Sequence, residues 1–127
     1  MGGSAVKPVR WIASSRDDVR DFPGVVRLRV GGALWEAQKG GKAPWAKPLR
    51  GYGGTGLVEI IDDHDGDTYR AVYTVRFEGF VYVLHAFQKK SKSGIATPRK
   101  DLALIDMRLR RAEKDYMEWR ASETKAL

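Results

Sequence analysis

TYRAVYTVRFEGFVYVLHAFQ, residues Thr68 to Gln88, decides the fold. It holds two apolar runs separated by Glu78-Gly79. In the first, Tyr69, Ala71, Tyr73, Val75 and Phe77 alternate with Arg70, Val72, Thr74 and Arg76. A period of two puts these sets on opposite faces of a strand. The second run, Phe80 to Gln88, is apolar at nearly every position, as in a central strand covered on both faces. Glu78-Gly79 is short enough for a tight hairpin turn. The alternation also assigns Arg70 to the face away from the apolar core, which predicts an exposed side chain.

Working outward, Leu57–Ile61 reads as a further strand, joined to the first run by an Asp63-His64-Asp65-Gly66-Asp67 turn. Residues 40–56, with six glycines and two prolines, read as loop. Before it, Pro23 suits the start of a helix. Val26, Val30, Ala33 or Leu34, and Ala37 share one face of that helix, and Gly40-Gly41 ends it. Gly31-Gly32 weakens it by roughly 1 kcal/mol per glycine. Val9–Ala13 reads as a first strand, and Ser14 or Ser15 caps a short helix reaching about Asp21. Downstream of a basic loop, Thr97 and Pro98 open a long helix. Its Leu102, Ile105, Leu109, Ala112, Tyr116 and Trp119 step by three and four. The predicted order is β-α-α-β-β-β-α, an α+β domain whose small, mostly antiparallel sheet carries its helices on one side. One domain over 8–121 is expected, with a leader over 1–7 and a tail over 122–127.

The 127 residues suit a single domain. Cysteine is absent, which excludes disulfides and thiolate metal sites and fits a reducing cytoplasm. No apolar run approaches the roughly 18 residues of a membrane span. Met1 to Lys7 has no signal-type apolar stretch. A cytoplasmic protein without a membrane partner is expected. The net charge is +7 and unevenly placed: residues 1–88 carry 12 basic and 10 acidic side chains, residues 89–127 carry 11 and 6. Lys39, Lys42, Lys47 and Arg50 form a second basic stretch with no acid between Glu36 and Glu59. Such a distribution attracts a polyanion.

There is no Walker loop, dinucleotide fingerprint or HExxH. The glycines of Gly51–Gly56 precede a strand, the wrong context for cradling phosphate at a helix start. Asp62, Asp63, His64, Asp65 and Asp67 lack the EF-hand pattern and read as an acidic turn. No metal and no cofactor is expected. The informative set is basic and aromatic: Lys47, Arg50, Arg70, Tyr73, His85, Lys89, Lys90 and Lys92. In an antiparallel sheet the early part of one strand lies beside the late part of the next, which brings Arg70 towards His85 and Lys89. RNA cleavage by its own 2′-hydroxyl needs a base, cations for the phosphorane charge and an acid for the leaving 5′-oxygen. Aromatic rings hold unstacked bases. The plain alternatives are a core histidine, a core tyrosine, solvated edge arginines and a solvated lysine loop.

Tyr69-Arg70-Ala71-Val72-Tyr73, then Leu84-His85-Ala86-Phe87-Gln88-Lys89-Lys90, then Thr97-Pro98, together with Lys47-Pro48-Leu49-Arg50-Gly51 and Gly56-Leu57-Val58-Glu59 upstream, resemble the phage-derived branch of HigB-like toxins in the RelE/ParE toxin superfamily. The resemblance spans residues 8 to about 116. It implies a RelE-like, microbial-RNase-type fold and a type II toxin. It also implies an endoribonuclease (mRNA interferase) that cuts mRNA, commonly on the translating ribosome. A cognate helix-turn-helix (HigA-like) antitoxin is the implied protein partner. By the same resemblance Arg70 is the phosphate-binding arginine and Lys89 the basic position ending the last strand, with Lys47 or His85 moving protons. Arg50, Tyr73, Lys90 and Lys92 would then contact RNA. The rival readings are a non-catalytic RNA- or ribosome-binding module on the same scaffold, and an inactive relic kept for binding a regulator.

Overall fold

Two-residue periodicity at the centre of the chain and helical periodicity at its flanks build one sheet between helices. The computed structural model describes residues 6–52, 54–90 and 96–126. In chain order the elements are β1 (Val9–Trp11), α1 (Ser15–Arg20), α2 (Gly24–Gln38), β2 (Ala46–Pro48), β3 (Leu57–His64), β4 (Asp67–Thr74), β5 (Val81–Lys89) and α3 (Arg99–Ala126). The strands lie in the order β1-β5-β4-β3-β2. β2 to β5 pair antiparallel in succession, and β1 joins β5 in parallel. The fold is thus α+β with a five-stranded mixed sheet.

The β3–β4 hairpin is longer than the sequence predicts. Pairing continues to His64 and Asp67, leaving only Asp65 and Gly66 in the turn, both with positive φ (50° and 85°). Two such residues match the twist of the flanking strands. The other end of β4 is shorter than expected. It stops at Thr74, and Val75 donates its amide to the Gly56 carbonyl at 3.1 Å. A Cβ on Gly56 would lie 3.3 Å from the Arg76 nitrogen, and its φ is 79°. Only glycine fits this approach. Phe77, released from the strand, packs in the cluster opposite Tyr69 and Tyr73.

The helices cover both faces, not one. Val26, Val30, Ala33, Leu34 and Ala37 of α2 pack on Ile60, Tyr69, Ala71, Tyr73, Val81, Val83 and Ala86. Ile105, Ala112 and Tyr116 of α3 pack on Leu57, Val72, Tyr82 and Leu84. The one-sided expectation failed because the second face of β4 looked polar, whereas Val72 and Thr74 are fully covered there. α3 runs on to Ala126, beyond residue 121, where the expected domain ended. Lys7, assigned to a leader, is tied to α2: its amide donates to the Gln38 carbonyl, and the Gln38 side chain donates back to the Lys7 carbonyl. Among the described residues no helix is long and apolar enough to cross a membrane.

α3 is braced on the sheet near its middle. Asp115 accepts from Arg10 at 2.6 Å and from the Tyr82 hydroxyl at 2.8 Å. Burial alone would raise the Asp115 carboxyl. The Tyr82 and Arg10 donors outweigh burial and hold it below its ordinary range. Burial, then the bond to Asp115, pushes the Tyr82 phenol upward.

Candidate functional site

Strand register places the chemistry. Lys47 lies opposite Glu59, Glu59 opposite Val72, Ile61 opposite Arg70, Arg70 opposite Phe87, and Thr68 opposite Lys89. Paired residues share a face, as do residues two apart on one strand. Lys47, Glu59, Arg70, Phe87 and Lys89 therefore stand on one side of the sheet, beside the start of α3. With neighbouring strands about 4.8 Å apart and Arg70 two residues out of register, Lys47 and Arg70 begin roughly 12 Å from each other, on either side of Glu59.

Glu59 is the hub. Its Oε2 accepts from Arg70 at 3.5 Å and from the Thr97 hydroxyl at 2.9 Å. Thr97 thus spends its side chain across the sheet instead of capping α3. The first-turn amides of Asp101 and Leu102 close on the Pro98 carbonyl. Arg70 is only 3% exposed. That corrects the expectation of a solvent-facing arginine: alternation identified its face, but Thr97, just before the start of α3, reaches Glu59 on that same face. Lys47 is exposed. Lys89 is half-buried and donates to the Ala96 carbonyl at 3.2 Å, holding the chain that leads into α3 against β5.

His85 is brought to the same face by a bulge. The β4–β5 register steps between Val72 and Tyr73, which leaves Leu84 without a Cα partner. The extra residue turns both Leu84 and His85 towards α3. His85 Nε2 lies 2.7 Å from Asp101 Oδ1, and Nδ1 lies 2.9 Å from Arg108 Nη1. Arginine only donates, so Nδ1 accepts and Nε2 carries the proton given to Asp101. Both ring nitrogens are engaged, and Arg108 also reaches the Leu84 carbonyl and the Ser14 hydroxyl. His85 thus stitches β5 to α3. Asp101→Ala leaves the buried Nε2–H without its acceptor and is expected to cost about 1–3 kcal/mol. Urea unfolding measures this. Asp101→Asn, which keeps a carbonyl oxygen, is expected to cost less, and an Asp101→Ala transition unchanged from the parent would contradict the bracket.

The other predicted contacts separate. Tyr73 is a core residue packed on the α2 side, with no ring face for a base. Burial pushes its phenol up to about 12. Arg50 is exposed but follows β2 at the far end of the sheet. Its neighbour Leu49 bonds Leu57, which pairs with Thr74, roughly 13 Å along the strand from Arg70. Lys90 is exposed at the end of β5, and Lys92 lies outside the described residues. The acidic turn is partnered piecemeal: Asp62 with Arg29, Asp63 with Thr68, Asp67 with Gln88. Sequence reasoning missed Glu59, Asp101 and Arg108 as site residues. Each carried a signal. Glu59 is a lone acid in an apolar run, and Asp101 and Arg108 occupy the apolar stripe of α3 at helical spacing from Ile105.

Residues 17–110 match the family described as phage derived protein Gp49-like (DUF891). The chain belongs to this family. No curated protein and no solved structure matches it. The Gp49-like family is toxin-like. Its matched span runs from α1 past Arg108, so it contains the whole Lys47–Glu59–Arg70–Lys89 face and the His85 bracket of this Gp49-like chain.

Proposed function

We propose that this Gp49-like protein is a type II toxin of the HigB-like, RelE-superfamily kind, a metal-independent endoribonuclease that cuts mRNA, with the translating ribosome as the setting. The observation that carries the reading is the placement of Arg70 and Lys89 on adjacent strands of one sheet face, with Lys47 further along the same face. Arg70 and Lys89 start about 8 Å apart, a spacing that suits one phosphodiester, and Lys47 reaches towards the neighbouring ribose from about 12 Å beyond Arg70. Arg70 and Lys89 would hold the charge that grows on phosphorus as the 2′-oxygen attacks. Glu59 fixes the Arg70 guanidinium in place. With His85 committed to Asp101 and Arg108, Lys47 is the remaining candidate for proton transfer: its ammonium gives a proton to the departing 5′-oxygen, while the proton of the 2′-hydroxyl passes to water. The departing 5′-oxygen leaves with a proton, giving a 2′,3′-cyclic phosphate and a 5′-hydroxyl. A cognate helix-turn-helix antitoxin is the proposed partner that silences it.

One observation favours a second reading. The Arg70 charge is already met by Glu59 within the fold, which suits a non-catalytic RNA- or ribosome-binding module on the same scaffold. Expression without a partner separates the two. The nuclease reading expects growth arrest with fragments of translated mRNA ending in 2′,3′-cyclic phosphate, and cleavage of free RNA, where it occurs, that persists in chelator. Growth arrest over intact mRNA would sink the nuclease and leave the binding module.

A further inference from the structure

α2 is apolar on two opposite faces, and the fold uses one. Val26, Val30, Ala33 and Ala37 enter the core. Val25, Leu28 and Trp35 do not: they are 55%, 78% and 48% exposed. Val25, Leu28, Gly32 and Trp35 fall at i, i+3, i+7 and i+10, one line along the outside of the helix. Trp45 flanks it, 3.5 Å from where a Cβ on Gly32 would lie, and Arg29 stacks over the Trp45 ring at 4.4 Å. A contiguous exposed apolar patch that includes tryptophan is the usual signature of a docking surface.

A second observation points the same way. Gly31 and Gly32 sit in the middle of a fifteen-residue helix, where glycine is the poorest residue after proline. A Cβ on Gly31 would meet nothing within 4 Å, so the chain's own packing does not require glycine there. A partner's backbone approaching closely would require it. The surrounding charge selects the partner. From Gly24 to Lys42 the one acid is Glu36, which pairs with Lys39, and Arg29 pairs with Asp62 of β3; Arg27 and Lys42 have no acid among the described ion pairs, so the rim stays basic. A second copy of this face would bring like charges together.

We infer that the outer face of α2 docks an amphipathic helix of a partner protein, with apolar residues at i, i+3 and i+7 meeting Val25, Leu28 and Trp35, and acidic residues on its flanks meeting the basic rim. This is helix-against-groove recognition, with the Gly31-Gly32 notch as the point of closest approach. The stripe lies on the α2 side of the sheet, whereas Lys47, Arg70 and Lys89 stand on the α3 side. A helix seated on α2 therefore leaves the cationic face open, so tethering a partner and blocking the site are separate acts. The inference does not depend on RNA cleavage.

The test is a displayed library of single-helix peptides. Leucine is fixed at i, i+3, i+7 and i+10, and the flanking positions are drawn from Glu, Lys, Gln and Ser. Selection on the full chain is expected to enrich glutamate at the flanks. Binding of the enriched peptides is expected to fall at least tenfold on Leu28→Asp, which alters an exposed position. It should fall similarly on Gly31→Leu, which fills the notch while raising the thermal midpoint. Lysine-flanked binders, the absence of enrichment, or equal binding to both variants would overturn the proposal. So would sedimentation showing a dimer of the parent that Leu28→Asp dissolves, because a second copy would then be the occupant.

Discussion

Arg70→Ala is expected to destabilise the fold by about 3–5 kcal/mol, the range for removing one partner of a buried ion pair. Both side chains are almost wholly buried, at 3% and 4%. Without the guanidinium, Glu59 keeps only the Thr97 hydroxyl among the bonds described. A buried carboxylate with one neutral donor is poorly solvated. The double variant Arg70→Ala/Glu59→Gln removes the stranded charge and is expected to recover a large part of the loss. Thermal and urea unfolding of the parent, the single and the double variant give the comparison. If Arg70→Ala unfolds within 0.5 kcal/mol of the parent, the range of an ordinary surface substitution, the pair does not support the fold. Loss of toxicity in Arg70→Ala alone is therefore no evidence of catalysis.

Lys47→Ala is the cleaner catalytic test. The side chain is exposed, so stability is expected to stay within about 0.5 kcal/mol. Under the nuclease reading the group meets the reacting ribose. Losing it is expected to slow RNA cleavage about 10²- to 10³-fold, the size seen when one transition-state contact is deleted, or roughly 3–4 kcal/mol of barrier. Lys89→Ala is less decisive because its ammonium also holds the Ala96 carbonyl. Lys114→Ala, an exposed cation on α3, serves as the control for net charge. Equal cleavage rates for Lys47→Ala and Lys114→Ala would remove Lys47 from the mechanism.

The central hairpins and the inner faces of α2 and α3 were legible because periodicity reports burial directly. Tyr69, Ala71 and Tyr73 alternate into one core, and Ile105, Ala112 and Tyr116 step into the other. What periodicity cannot report is whether something covers a given face. That is why Arg70 was expected in solvent and is found buried against Glu59. β2 was invisible for a different reason: Ala46-Lys47-Pro48 is three residues long, basic and proline-ended, and an edge strand needs partners on one side only. The bulge at Leu84 breaks alternation without changing composition, so the inward turn of His85 left no trace in the pattern. Arg70 was singled out by its resemblance to a family arginine, but the acid that positions it was passed over as one more residue of a strand.

The sheet's two margins have a consequence for the protein at high concentration. β3, β4 and β5 are eight or nine residues long; β4 is paired along both sides, while β3 meets β2 over Val58–Ile60 and β5 meets β1 over Val81–Val83. Apolar strands of that length would template pairing with other molecules if their backbone groups were bare. The outermost strands are β1 and β2, three residues each. Pro8 precedes one and Pro48 ends the other, and proline has no amide to offer a newcomer. The arrangement keeps β4 and the apolar start of β5 away from the rim, which works against edge-to-edge aggregation even though the middle third of the chain is rich in valine, tyrosine and phenylalanine.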